Sequence, residues 1–362
     1  MKAFFAKITL AILILIGFLW LIKILLRESS HDVKNILNPG RIPVKEFVIH
    51  ADDDTIITGE KGTVLKIDRG TFKDCLGKPV SGQVEISLKE IYSKSDHVLS
   101  GLTTTSNGDI LETGGMLYLN AYQKGKVLCI NDSAKIGVIV PAGKIEQGMK
   151  LYKGRFFDKT ATVNWIEPED LLNPSDYPEQ LTLQERYNTD EITEMEAIRR
   201  GYLAPDTVAF PSNQFWRDYA DGLYDAYTIN SELNYVFETN DLGWLNVDRM
   251  VDITATREIR LLASIHSRED FNFPVVKLIF KNLEIYLDGF EAGNNRFVFG
   301  KNYSERVNLP VGEPVILLAV AQHKGKPYLD MQEFILGDNH TSILNLQETT
   351  MDEIESLISE RF

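Results

Sequence analysis

The chain has 362 residues, 44% of them hydrophobic and 25% charged, with a formal net charge of −14. This is the composition of folded protein rather than disorder, and the length suffices for two ordinary domains with a core in each. The acidic surface repels nucleic acid phosphates, whose binding relies on Lys and Arg displacing counterions, so nucleic acid is excluded as a partner.

The opening stretch is the strongest single signal. The 19 residues Ile8 to Leu26 are apolar apart from Thr9 and Lys23, and as a helix they would reach about 28 Å, the thickness of a hydrocarbon core. Inside lipid every backbone polar group must be paired, which makes helix the expected state. Lys23 can snorkel to the interface, and Trp20 suits the same belt. Basic residues flank both ends (Lys2 and Lys7 before, Lys23 and Arg27 after). Leu25 to Glu28 offers no small-residue cleavage site, and no early Cys is present to take a lipid. Residues 1–27 are therefore read as a retained signal-anchor. It is a single transmembrane helix in a bacterial inner membrane, with the body facing the periplasm. The alternative is a secreted or outer-envelope protein after signal cleavage. Residues 28–45, polar and turn-rich, form a tether.

Residues 46–168 read as a first β domain. Val84, Ile86 and Leu88 alternate with Glu85, Ser87 and Lys89, as a half-buried strand requires. Further strands are expected at Val64–Asp68, Met116–Tyr122, Lys126–Ile130 and Ile136–Pro141, with turns at Leu76–Pro79, Asn107–Asp109 and Lys124–Lys126. Glu112–Met116 contains Gly114 and Gly115. A phosphate cradle would need a following helix, but a strand follows, so a bulge or tight corner is expected. Asp52, Asp53 and Asp54 lack the glycine-spaced turns of a calcium loop and read as a solvated acidic turn. Cys75 and Cys129 are the only cysteines. In an oxidising compartment they could form a disulfide; otherwise they are separate thiols, with Cys129 in a strand.

Three stretches of this region carry a resemblance: Gly62–Ile67 with Thr71–Asp74, Gly77–Glu90, and Thr105–Ala121 preceded by Ser93–Asp96. The pattern runs on through Gly148–Gly154 to Trp165 and returns at Leu242–Arg249. It resembles a family of exported Bacteroidetes β-domain proteins, over roughly Thr55 to Ile335. The first domain is loosely similar to ZU5 domains, which are β-sandwich interaction modules. The resemblance implies a β fold and export but no particular activity. It departs from the family in two places: there is no lipobox Cys, and Val247 stands where a Cys is common.

Residues 169–229 are expected to form a partly helical connector, with a short helix from Thr189 to Gly201. Phe215, Trp216, Tyr219 and Tyr224 follow it, interleaved with Asp and Arg217. These aromatics either pack the two β domains together or form a platform for a glycan or protein partner. Residues 230–343 read as a second β domain, with strands at Leu233–Thr239, Glu258–Ile265, Val275–Lys281, Arg296–Phe299 and Glu313–Ala321. Trp244, Asn246, Asp248 and Arg249 lie within it; alternation sends Asn246 and Asp248 to one face and Arg249 to the other. Residues 344–362 close on an amphipathic helix in which Ile354, Leu357 and Ile358 share a face behind a Thr cap.

The expected fold class is thus mainly β, with two antiparallel sandwich-like domains between an N-terminal span and a C-terminal helix. His31, His50, His97, His266, His323 and His340 are scattered, and no hydrolase, kinase or zinc-peptidase motif is present. The expectation is a non-enzyme without cofactor or metal: an envelope interaction or scaffold protein held by residues 8–26. Its expected partners are other envelope proteins, and a carbohydrate-binding or carbohydrate-active protein is the alternative.

Overall fold

The computed structural model describes residues 36–142, 144–156, 163–172, 234–267 and 269–362. The apolar span, the connector helix and the Phe215–Tyr224 aromatics lie outside them. Among the described residues no helix is long and apolar enough to cross a membrane.

The described chain is mainly β, in several largely antiparallel sheets. The first strands are β1 Lys45–His50, β2 Thr55–Thr58, β3 Val64–Ile67, β4 Phe72–Asp74 and β5 Gln83–Ile91. A short helix, α1 (Lys94–Ser100), separates these from β6 Thr105–Ser106, β7 Asp109–Gln123, β8 Lys126–Ile130 and β9 Ile136–Pro141. Next come β10 Lys150–Phe156, β11 Val163–Asp170, β12 Asn234–Thr239 and β13 Gly243–Met250. The later strands are β14 Arg257–Ile265, β15 Asn272–Phe280, β16 Tyr286–Asp288, β17 Phe290–Glu291, β18 Arg296–Val298 and β19 Arg306–Leu309. Last are β20 Pro314–His323, β21 Lys326–Ile335, β22 Asn339–Leu344, β23 Gln347–Glu348 and the terminal helix α2, Met351–Arg361.

A large sheet runs β1-β5-β7-β13-β10-β11 and faces a smaller one, β12-β9-β3-β2. Val84, Ile86, Leu88, Leu119 and Val247 of the first interleave with Leu65, Ile67, Val138 and Phe237 of the second in one buried cluster. The expected alternation of β5 is what delivers those side chains to it. In the second unit β17-β18-β14-β19 faces β16-β15-β20-β21-β23, and Ile259, Leu261, Phe280, Phe297 and Leu317 share the core between them. One pair is parallel, β22 beside β14, so the unit is not antiparallel throughout.

Strands β12 and β13 correct the expected domain boundary at residue 230. They pair with β9, β7 and β10, completing the first unit, and β13 occupies a central position in its large sheet. Alternation reveals that a segment is a strand but not which strand it will pair with. The long interval between Asp170 and Asn234 therefore looks like a boundary in sequence.

The expected turns at Asn107–Gly108 and Lys124–Gly125, and a third at Lys324–Gly325, are two-residue hairpins, with φ positive at both central residues. This is the twist that flanking strands require. The β20 run Val315–Ala321 is buried on both faces, which explains why it does not alternate. Its outer face is covered by α2 through Ile354 and Ile358, and by Val98, Ile36 and Leu37. Helix α2 begins as expected with a capping box between Thr350 and Glu353.

Candidate functional site

The two units are joined by a buried, polar seam built around α1. Ser93 and Asp96 close a capping box at its start. At its end Gly101 takes φ +70, and a Cβ there would stand 2.6 Å from the Leu37 carbonyl oxygen. The chain then runs against β16 of the second unit. The Thr104 amide donates to the Tyr286 carbonyl at 2.9 Å, and the Tyr286 amide donates to Thr104 Oγ1 at 3.0 Å. Tyr286 stacks on His97 with ring centroids 4.7 Å apart. Lys277, fully buried, donates from Nζ to the carbonyls of Gly101 and Leu102 at 3.1 and 3.3 Å and pairs with Asp288. Burial drives the His97 imidazole pKa down to about 3, reinforced by Lys94, Lys61 and Lys277 and opposed by Asp96.

Above this seam the units separate around a cleft of about 2080 Å³. One wall comes from the β6–β7 hairpin and β11. Asn164 Nδ2 donates to Asn107 Oδ1 at 3.0 Å, and the Asn107 amide donates back to Asn164 Oδ1 at 2.8 Å, so two amide side chains are fixed in place. The other wall carries large apolar side chains left open to solvent: Phe273 is 58% exposed, Phe290 48% and Tyr303 66%. Met250, at the end of β13, is 51% exposed between the walls. Phe290 and Tyr303 meet edge to face with centroids 6.0 Å apart. Lys301 reaches across to Asp109 at 2.6 Å.

The backbone marks the same place. Phe273 and Tyr303 have φ of +48° and +60°, and among the described residues they are the only aromatics with positive φ. Asn107 and Asn302 on the same cleft are also left-handed. Holding a bulky residue there costs on the order of 1–3 kcal/mol, and such strain gathers at binding surfaces. Both residues adopt this backbone although each remains more than half exposed.

No protein-family model matches the chain. No curated protein matches it either.

The residues singled out from sequence fall elsewhere. Alternation places the β13 side chains as expected, with Trp244 in one cluster and Leu245 and Val247 in the opposite one. Asn246 Nδ2 donates to Asp248 Oδ2 at 2.6 Å, Thr113 Oγ1 donates to Asn246 Oδ1 at 2.9 Å, and Asp248 is fully buried with Oδ1 unpartnered. Arg249 bridges Glu112 and Glu146 at 2.7 and 2.9 Å. The Gly114–Gly115 pair sits where the β7–β13 register slips by one residue, a bulge as expected. A Cβ on Gly114 would lie 2.6 Å from the Tyr235 ring, and one on Gly115 2.8 Å from Tyr92. None of these groups opens into the cleft; the glycines serve packing.

Asp248 supplies a testable consequence. Burial raises its carboxyl pKa well above the usual 3.8, opposed by the hydrogen bond from Asn246. The folded protein thus keeps a proton that the unfolded chain releases above 3.8, so stability falls as pH rises through that window. Asp248→Asn is expected to melt higher than the wild type at pH 7. The difference should close below pH 3.8, and thermal melts at the two pH values check it.

Cys75 and Cys129 are joined in a disulfide, with Cα atoms 5.2 Å apart. The antiparallel β4–β8 pair sets Lys73 opposite Cys129 and so brings the two together. Asp52 and Asp54 accept from the backbone amides of Gly82 and Arg69, and Asp52 also lies near His50, in an exposed turn. Among the described residues no three His, Cys, Asp or Glu side chains are grouped to hold a metal ion.

Proposed function

We propose that this chain is a non-catalytic binding protein of a bacterial cell envelope, related to the exported Bacteroidetes β-domain proteins that its sequence resembles. Residues 8–26 hold it in the inner membrane, and two sandwich-like units face the periplasm. Its working surface is the cleft between them. The observation that supports this reading is the exposure of Phe273, Phe290 and Tyr303 on one wall, two of them on a strained backbone. Scattered exposed apolar residues are ordinary, whereas several converging on one concave surface mark a place that is covered in use.

The test is site-specific photo-crosslinking in cells. With the full chain, a crosslinker at Asn302 in the cleft should give an adduct of discrete mass, and one at the 97%-exposed Leu76 should give none. Equal labelling at both positions, or at neither, would remove the cleft from consideration. Location is tested separately by fractionation: a chain still starting at Met1 and recovered soluble from cytoplasm would overturn the anchored reading.

A further inference from the structure

We infer that the cleft receives an uncharged oligosaccharide; this rests on the reading of the cleft as the binding surface and names what it takes. Three properties of the lining point to that chemistry.

The first is apolar faces without an enclosed pocket. A pyranose ring offers a flat C–H face that packs on an aromatic ring while its hydroxyls stay hydrated. Phe290 and Tyr303 present such rings to solvent, 48% and 66% exposed, on a wall rather than at the bottom of a hole. A purely apolar ligand would favour deeper enclosure.

The second is the polar lining, rich in groups that both donate and accept. Asn107, Asn164, Asn302, Asn308, Thr105 and Ser304 all line the cleft. Amides and hydroxyls match sugar hydroxyls, which likewise do both. The reciprocal pair between Asn107 and Asn164 uses one donor and one acceptor of the Asn164 amide and engages only the oxygen of the Asn107 side chain, not its Nδ2 donor.

The third is charge. Both cations of the lining are held by this chain's own carboxylates: Lys301 by Asp109 at 2.6 Å and Arg306 by Glu258 at 2.9 Å. An anionic ligand would have to break these pairs, and burying charge without a counter-charge is costly. The volume, about 2080 Å³, is larger than the roughly 300–1,000 Å³ of pockets for single small molecules, so it fits several sugar units in a row. The competing occupant is an extended peptide, because among the described residues β19 pairs only with β14 and its Arg306–Asn308 stretch lines the cleft.

The experiment is titration calorimetry on the full chain in lipid nanodiscs. Cellohexaose, maltohexaose and hexa-N-acetylchitohexaose are the probes, and glucose is the monomer control. At least one hexasaccharide should bind, and far more tightly than glucose. Phe290→Ala and Tyr303→Ala should each weaken that binding by about tenfold, with melting temperature unchanged because neither ring is in a core. The inference is overturned if no hexasaccharide binds, or if binding survives the double substitution. Should the sugars fail while the Asn302 crosslink captures a protein, the oligosaccharide is wrong and the cleft reading stands. Should both fail, both are wrong.

Discussion

Asp288→Ala is expected to destabilise the protein by about 3–5 kcal/mol, the cost of leaving a buried charge without its partner. Lys277 has no exposed surface, and its Nζ has three partners: Asp288 and the carbonyls of Gly101 and Leu102. The carbonyls help solvate the ammonium but carry no full charge, so removing the carboxylate strands a cation between two β units. Lys277→Met combined with Asp288→Leu should recover most of the loss, since an apolar pair of similar volume replaces an ion pair at little net cost. Urea midpoints of the two variants and the wild type check this. An Asp288→Ala midpoint equal to that of the wild type would mean that water reaches Lys277.

Acid should unfold the seam through His97. The imidazole is buried, stacked on Tyr286, and its Nδ1 has no hydrogen-bond partner. Its pKa is lowered from 6.5 to about 3, chiefly by burial, with Lys94, Lys61 and Lys277 acting in the same direction and Asp96 against them. Below pH 6.5 the unfolded chain takes up a proton that the folded protein refuses. Stability is therefore full above 6.5 and declines as pH falls towards 3, by about 1.4 kcal/mol per unit. Relative to His97→Phe, which keeps a ring on Tyr286 and has nothing to titrate, the wild type should lose roughly 3 kcal/mol on going from pH 7 to 4.5. Parallel stability curves for the two proteins would show that His97 reaches solvent.

Much of the local structure was legible because it is set by neighbours in the chain. The alternation of β5, the Xaa-Gly hairpins and the Thr350 cap are all encoded within a few residues. Ser93 and Asp96 carried the same kind of signal for α1, and the reading missed it because so short a helix buries no periodic apolar stripe. What escaped was everything that depends on which strands meet. The partner of Cys129 follows from the β4–β8 register, and the place of β13 from its pairing with β7. Lys277 looked like the polar member of an ordinary alternating strand, and only the approach of α1 encloses it. The cleft aromatics were hidden for the opposite reason. Phe273, Phe290 and Tyr303 lie in β-rich stretches where an aromatic normally enters a core, and exposure is a property of the assembled surface.

The position of β13 sets an order of events during synthesis. This strand lies between β7 and β10, which leave the ribosome well before it, and β12 similarly completes β9. Until about residue 250 has been made, β7, β9 and β10 each lack a neighbour and present bare amide and carbonyl rows, the kind of edge that recruits other chains. The first unit to begin is thus unable to finish early, and a nascent chain stopped before Asn234 should be aggregation-prone, in need of a holding chaperone rather than a catalyst of folding.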